Sequence, residues 1–132
     1  MEGIWDISED AKAKNTGKLD KDTLVFNLMI RQPDFLTEEF AKQILENVKK
    51  KKPHKLLEEV KFSSLEEGMC VQMMHFGSYA DEPTSFAKMH EFCVENNLQR
   101  ISGNHKEIYL TDARKTAPEK LKTVLRFRVA KM

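Results

Sequence analysis

Two pairs of strand-like segments follow one another with no helix between their members, and this restricts the fold more than any other feature of the sequence. Gly3 to Ile7 is followed, after a polar stretch over 8–23 that suits a long hairpin loop with Asn15 and Gly17 in it, by Leu24 to Arg31. Leu24, Phe26, Leu28 and Ile30 alternate along that second segment and so share one face, and Pro33 and Asp34 end it. Near the other end of the chain, the strand around Glu107 is followed by Thr123 to Val129. Strands that succeed one another directly point to a mostly antiparallel sheet and to the α+β class.

Two helices separate these pairs. Thr37 has the position of an N-cap, with Glu38 and Glu39 in the first turn where the helix dipole favours them. Phe40, Ala41, Ile44, Leu45 and Val48 make one stripe, Lys49 to Lys52 close the helix and Pro53 stops it. The four lysines read as a solvated helix end. Lys55 to Val60 suits a further helical turn. Gly68 to Gly77 is nearly all apolar and reads as a central strand. The second helix opens at Asp81 to Pro83, buries Phe86, Met89 and Cys93, and ends at Asn96 and Asn97. Thr116 and Glu119 have capping-box spacing, which predicts a short turn before the last strand. The helices are expected on one face of the sheet.

At 132 residues, 40% hydrophobic and 33% charged, the chain has the composition of one globular domain with a modest core. A formal net charge of +1 gives nucleic-acid binding no electrostatic support. No apolar run is long enough to cross a bilayer, no signal-peptide core opens the sequence, and the expected location is cytoplasmic. Cys70 and Cys93 lack metal-type spacing and read as reduced, buried thiols. No cofactor is expected. None of His54, His75, His90 and His105 forms a recognised metal-ligand pair, so no metal site is expected either. Gly-rich phosphate loops and a nucleophile elbow are absent from the sequence. The seven methionines suit adaptable core filling or the lining of a pocket for flat ligands.

The stretch His105-Lys106-Glu107-Ile108-Tyr109-Leu110-Thr111-Asp112 carries the chemistry. Ile108 and Leu110 alternate with polar neighbours, which places His105, Glu107, Tyr109 and Thr111 together on the opposite face. That face suits either an ordinary solvated strand or the wall of a pocket. In a pocket, Glu107 could serve as a general base, or stay charged and hold a cationic ligand whose faces aromatic rings cover. His75, at a strand end before Phe76-Gly77-Ser78-Tyr79, is the histidine nearest such a role.

Several segments resemble the GyrI-like small-molecule-binding family in its stand-alone bacterial branch. They are Glu66 to Pro83 (Glu-Glu-Gly-Met-Cys-Val-Gln-Met-Met-His-Phe-Gly-Ser-Tyr-Ala-Asp-Glu-Pro), His105 to Asp112, Arg114 to Thr123, and Leu28 to Phe35. The resemblance implies two strand-helix-strand-strand modules about a pseudo-twofold, with a ligand cleft between them and a glutamate projecting into it. Glu107 is the matching position, Tyr109 shares its face, and Trp5 and Tyr79 match the cleft's other aromatics. His75 joins Trp5, Tyr79 and Tyr109 as an expected ligand contact. Members of the family sense effectors for transcription regulators, inhibit DNA gyrase, or hydrolyse strained cyclopropanes of DNA-alkylating compounds with the glutamate directing water.

On this pattern, residues 1–132 form one domain, with 1–35 the remainder of the first module and 66–130 the complete second. The first module lacks its opening strand and helix here, which suggests that a second copy covers the open edge and gives a homodimer. Asp112-Ala113-Arg114 departs from relatives that often carry proline at its middle, a change confined to the turn. The expected partner is a hydrophobic or cationic small molecule, with no direct nucleic-acid contact and no membrane. The expected function is binding, with hydrolysis of strained electrophiles by Glu107 as a further step. Sequestration without chemistry, or a protein-interaction role, are the alternatives.

Overall fold

A computed structural model describes residues 1–14 and 21–132. Asn15 and Gly17, expected in the hairpin loop, lie outside the described residues. The chain divides into two compact units, one of residues 1–30 with 67–132 and one of residues 31–66.

The larger unit is an antiparallel sheet. Its strands are β1 (Glu2–Ile7), β2 (Leu24–Met29), β3 (Cys70–Phe76), β4 (Leu98–Arg100), β5 (His105–Tyr109) and β6 (Lys122–Lys131). They run in the order β2-β1-β5-β6-β3, and β4 pairs with the far end of β6. Helix α1 (Glu9–Lys14) lies in the connection between β1 and β2, and α3 (Glu82–Glu95) crosses from β3 to β4. The architecture is α+β with a mostly antiparallel sheet, as the succession of strands implies. β3, α3, β5 and β6 make one strand-helix-strand-strand run.

The core lies between α3 and one face of the sheet. β6 supplies Thr123, Leu125, Phe127 and Val129 at period two, all buried. Val71 of β3 and Met89 and Cys93 of α3 close on them, with Met73, Phe86 and Leu98 at the margin. Each such apolar side chain contributes about 1.5–3 kcal/mol by leaving water. Both cysteines are free, and burial pushes their thiols up. The opposite face carries charge. Lys106 of β5 lies 3.1 Å from Glu2 and 3.2 Å from Glu67, and Arg126 of β6 lies 2.7 Å from the same Glu67 carboxylate.

Three expectations change. The apolar run over 68–77 yields an edge strand, because among the described residues β3 pairs only with β6. Its apolar character reflects cover by α3 on the Val71 and His75 side, while Phe76 stays 64% exposed. The connection after β1 carries α1 and a 3-10 turn at Lys21–Thr23. The turn near Thr116 is a 3-10 turn at Pro118–Lys120 whose capping position is Ala117, so the Thr116–Glu119 spacing does not set its start. The strand β4 is too short to show a pattern in sequence.

The smaller unit holds α2 (Glu38–Lys51) and a 3-10 turn at Lys55–Glu59. Thr37 caps α2 by accepting the Phe40 N–H at 3.1 Å. No residue of α2 is buried, so its apolar stripe makes no core of its own.

Candidate functional site

β5 is the middle strand of the five in line, and its buried face is the polar one. Glu107 is opposite Gly3 of β1 and Leu125 of β6, and is 7% exposed, while Leu110 beyond the strand is 53% exposed. The alternation therefore has the expected period, with the face carrying the acid turned towards α3.

Both oxygens of the Glu107 carboxylate are held. His105 Nε2 lies 2.8 Å from Oε1, and since a carboxylate can only accept, the ring nitrogen donates. The Tyr109 hydroxyl donates to Oε2 at 2.7 Å. That hydroxyl in turn accepts the Trp5 indole N–H at 2.7 Å. Trp5, Tyr109 and Glu107 thus form a continuous chain of donors ending on the acid. Burial first, and then the bond to Glu107, push the Tyr109 phenol far up, so it stays a donor.

Aromatic rings surround this chain. Trp5 stacks on Phe26 of β2 with centroids 4.6 Å apart. Tyr79, in the turn before α3, meets Tyr109 edge-on at 6.3 Å. Phe86 of α3 meets the His105 ring edge-on at 4.8 Å. Gly3 makes the approach possible. A Cβ on it would lie 2.6 Å from Trp5 Nε1 and 3.0 Å from the Tyr109 hydroxyl.

A second acid completes the cluster. Glu82, the first residue of α3, is 9% exposed, and its Oε1 is buried with no hydrogen-bond partner among the described residues. Donor atoms of Glu82, His105 and Glu107 lie within 4.8 Å of one another. Burial, and then the charge of Glu107, push the Glu82 carboxyl up to about 8. Burial beside the Glu107 carboxylate thus favours the neutral form of Glu82. The spacing has room for a divalent ion. Ligating one through His105 Nε2 would take that nitrogen from Glu107, whereas a proton on Glu82 leaves the bond intact.

His75 sits elsewhere on the core face. It is 3% exposed, with Nδ1 2.8 Å from the Ser85 hydroxyl and Nε2 2.8 Å from the Ser78 carbonyl. Both ring nitrogens are thus engaged, and the ring ties β3 to the turn and to α3. Since Tyr79 and Glu82 lie in that turn and helix, His75 positions them. Of the expected residues, Glu107, Tyr109, Trp5 and Tyr79 come together, and His75 supports them from behind. Thr111 accepts the Lys122 N–H at 3.0 Å and closes the β5–β6 connection.

The sequence alone does not point to Gly3, Glu82 or Phe86 as residues of the site. Glu82, Ser85, Phe86, Met89 and Cys93 recur at three- and four-residue steps on α3, and extending the Phe86–Met89–Cys93 stripe back one turn finds the acid. Met73 and Met89 line a groove of about 490 Å³ between β3 and α3, bounded also by Phe92 and Leu98, which shares no residue with the Glu107 cluster.

Among the described residues, no helix is long and apolar enough to cross a membrane. No curated protein matches the chain. Among solved structures, an uncharacterized conserved protein from Listeria innocua is 42% identical with a TM-score of 0.84, matching 98% of this chain and 62% of its own. A hydrolase from the same organism is 39% identical with a TM-score of 0.82, matching 98% and 61%. Another Listeria innocua hydrolase is 41% identical with a TM-score of 0.82, matching 98% and 62%. The chain therefore spans about three fifths of the length of these proteins. The family model of the GyrI-like small molecule binding domain matches residues 4–130, and the chain belongs to that family.

Proposed function

We propose that the Glu107 cluster is the binding surface for a flat, hydrophobic and preferably cationic small molecule, with Trp5, Tyr79 and Tyr109 as its aromatic contacts. The observation that carries this reading is a carboxylate removed from water on the central strand, fixed by two donors and ringed by aromatic side chains. Such a site attracts a cation by charge and by the ring faces together. His75 acts from behind, by holding Tyr79 in place.

Hydrolysis is the finer reading, encouraged by the two Listeria innocua hydrolases. Glu107 would take a proton from water whose oxygen bonds to a strained cyclopropane carbon. The ring C–C bond breaks, and its electron pair passes into a conjugated carbonyl that solvent protonates. The opposing observation is that both Glu107 oxygens are already occupied, which favours binding without chemistry. Incubation with a cyclopropane-bearing alkylator separates the two. Turnover that Glu107→Gln abolishes supports hydrolysis, and stoichiometric capture without product supports sequestration. If Glu107→Gln alters neither binding nor turnover, the cluster is not the site.

The working form is read as a cytoplasmic homodimer. β2 ends the sheet with Val25, Phe26 and Leu28 each about half exposed, a surface suited to pairing. Gel filtration with light scattering tests this, and a stable monomer refutes it.

A further inference from the structure

We infer that Glu82 carries a proton beside the Glu107 carboxylate and that a cationic ligand binds by displacing it, so that binding is an exchange of one positive charge for another. This rests on the ligand reading above and adds how the site chooses charge.

The geometry requires a positive charge between the two acids. Both residues are more than nine-tenths buried, their carboxyl oxygens lie within 4.8 Å, and Glu82 Oε1 meets no donor. Among the described residues, no arginine or lysine pairs with either carboxyl. Lys106, the neighbour of Glu107 in sequence, projects to the other face and is spent on Glu2 and Glu67. The groups that face the pair are His105 and Tyr109 from β5 and Tyr79 from the turn before α3. His105 and Tyr109 are already committed to Glu107. The two phenols are held neutral by burial and by the acids' own charge. The proton on Glu82 is therefore the charge that can leave.

When a fixed cation arrives, both carboxylates can be ionised at once, because the newcomer neutralises what the proton had neutralised. The proton passes to solvent and no covalent bond of the ligand changes. Neutral ligands of the same shape gain nothing from the exchange and leave the proton in place. Loss of a proton on binding makes apparent affinity rise with pH, by up to about tenfold per pH unit while Glu82 is protonated in the free protein.

The test uses N-methylacridinium as a permanent planar cation and acridone as its neutral counterpart. Titration calorimetry in buffers of different ionisation enthalpy counts protons released. About one proton per N-methylacridinium bound is expected, none for acridone, and none for either probe with Glu82→Gln. Infrared spectra should show the C=O stretch of a protonated carboxyl in the wild-type protein at neutral pH, missing in Glu82→Gln. Cation binding without proton release, or release that persists in Glu82→Gln, overturns the exchange and leaves the ligand reading standing. A wild-type protein without the infrared band overturns the proton on Glu82 directly. A protein that shows the band but binds neither probe overturns the exchange and the ligand reading together.

Discussion

Gly3 lies directly opposite Glu107 in the β1–β5 ladder, and the space where its side chain would be is occupied by the Trp5–Tyr109 hydrogen bond. Gly3→Ala sets a Cβ 2.6 Å from the indole nitrogen. The indole cannot easily retreat, because it also stacks on Phe26. The substitution should cost about 1–3 kcal/mol, as overpacking does, and should shift tryptophan emission. Trp5 is the only tryptophan, so urea unfolding followed by its fluorescence reads both effects.

Tyr109→Phe removes one hydroxyl and strands two groups, the Trp5 N–H and Glu107 Oε2. A loss of about 1–3 kcal/mol is expected, the range for leaving buried polar groups unpaired. Tyr79→Phe is the control. Its hydroxyl makes no hydrogen bond among the described residues and the residue is 42% exposed, so the stability of this variant should stay within about 0.5 kcal/mol of wild type. Equal losses in the two variants would contradict the relay.

The raised Glu82 carboxyl makes stability depend on pH. From the ordinary value of 4.5 up to about 8, the folded chain keeps a proton that the unfolded chain has released. Stability from this group is therefore complete below 4.5 and declines as pH rises towards 8, by at most about 1.4 kcal/mol per unit. Glu82→Gln removes that dependence. Denaturation of both proteins across this window should show the variant gaining on wild type as pH increases, and parallel curves would contradict the shift.

His75→Ala should loosen the turn and the start of α3 together, since it frees the Ser78 carbonyl and the Ser85 hydroxyl at once. A cost of about 2–4 kcal/mol is expected from the cavity and the two lost partners. Hydrogen exchange should quicken over 78–86 while β6 remains slow. A uniform change across the sheet would mean that the ring fills space without positioning anything.

The sequence discloses the periods better than the sides. Strict alternation put His105, Glu107 and Tyr109 on one face, and they are. Ile108 and Leu110 made the other face look like the buried one, because hydrophobicity alone cannot register that the acid is satisfied by its neighbours and covered by α3. Glu82 was concealed by a sufficient local reason for its presence, an acid in the first turn of a helix. The Trp5–Tyr109 bond joins residues 104 positions apart, beyond any local pattern. His75 stands out in the sequence by its place before Gly77 and Tyr79. Its actual partners, Ser78 and Ser85, depend on how the turn folds back onto β3.

That long span also dictates an order of events. During synthesis Trp5 is made first and must wait for the segment around residue 109 before its indole finds a partner. Until then β1 has no β5 to dock on, and the indole has no acid-bound phenol to donate to. The acid cluster is accordingly completed only once β5 has been made, and a nascent chain halted before β5 would carry Glu82 without its neighbouring acid.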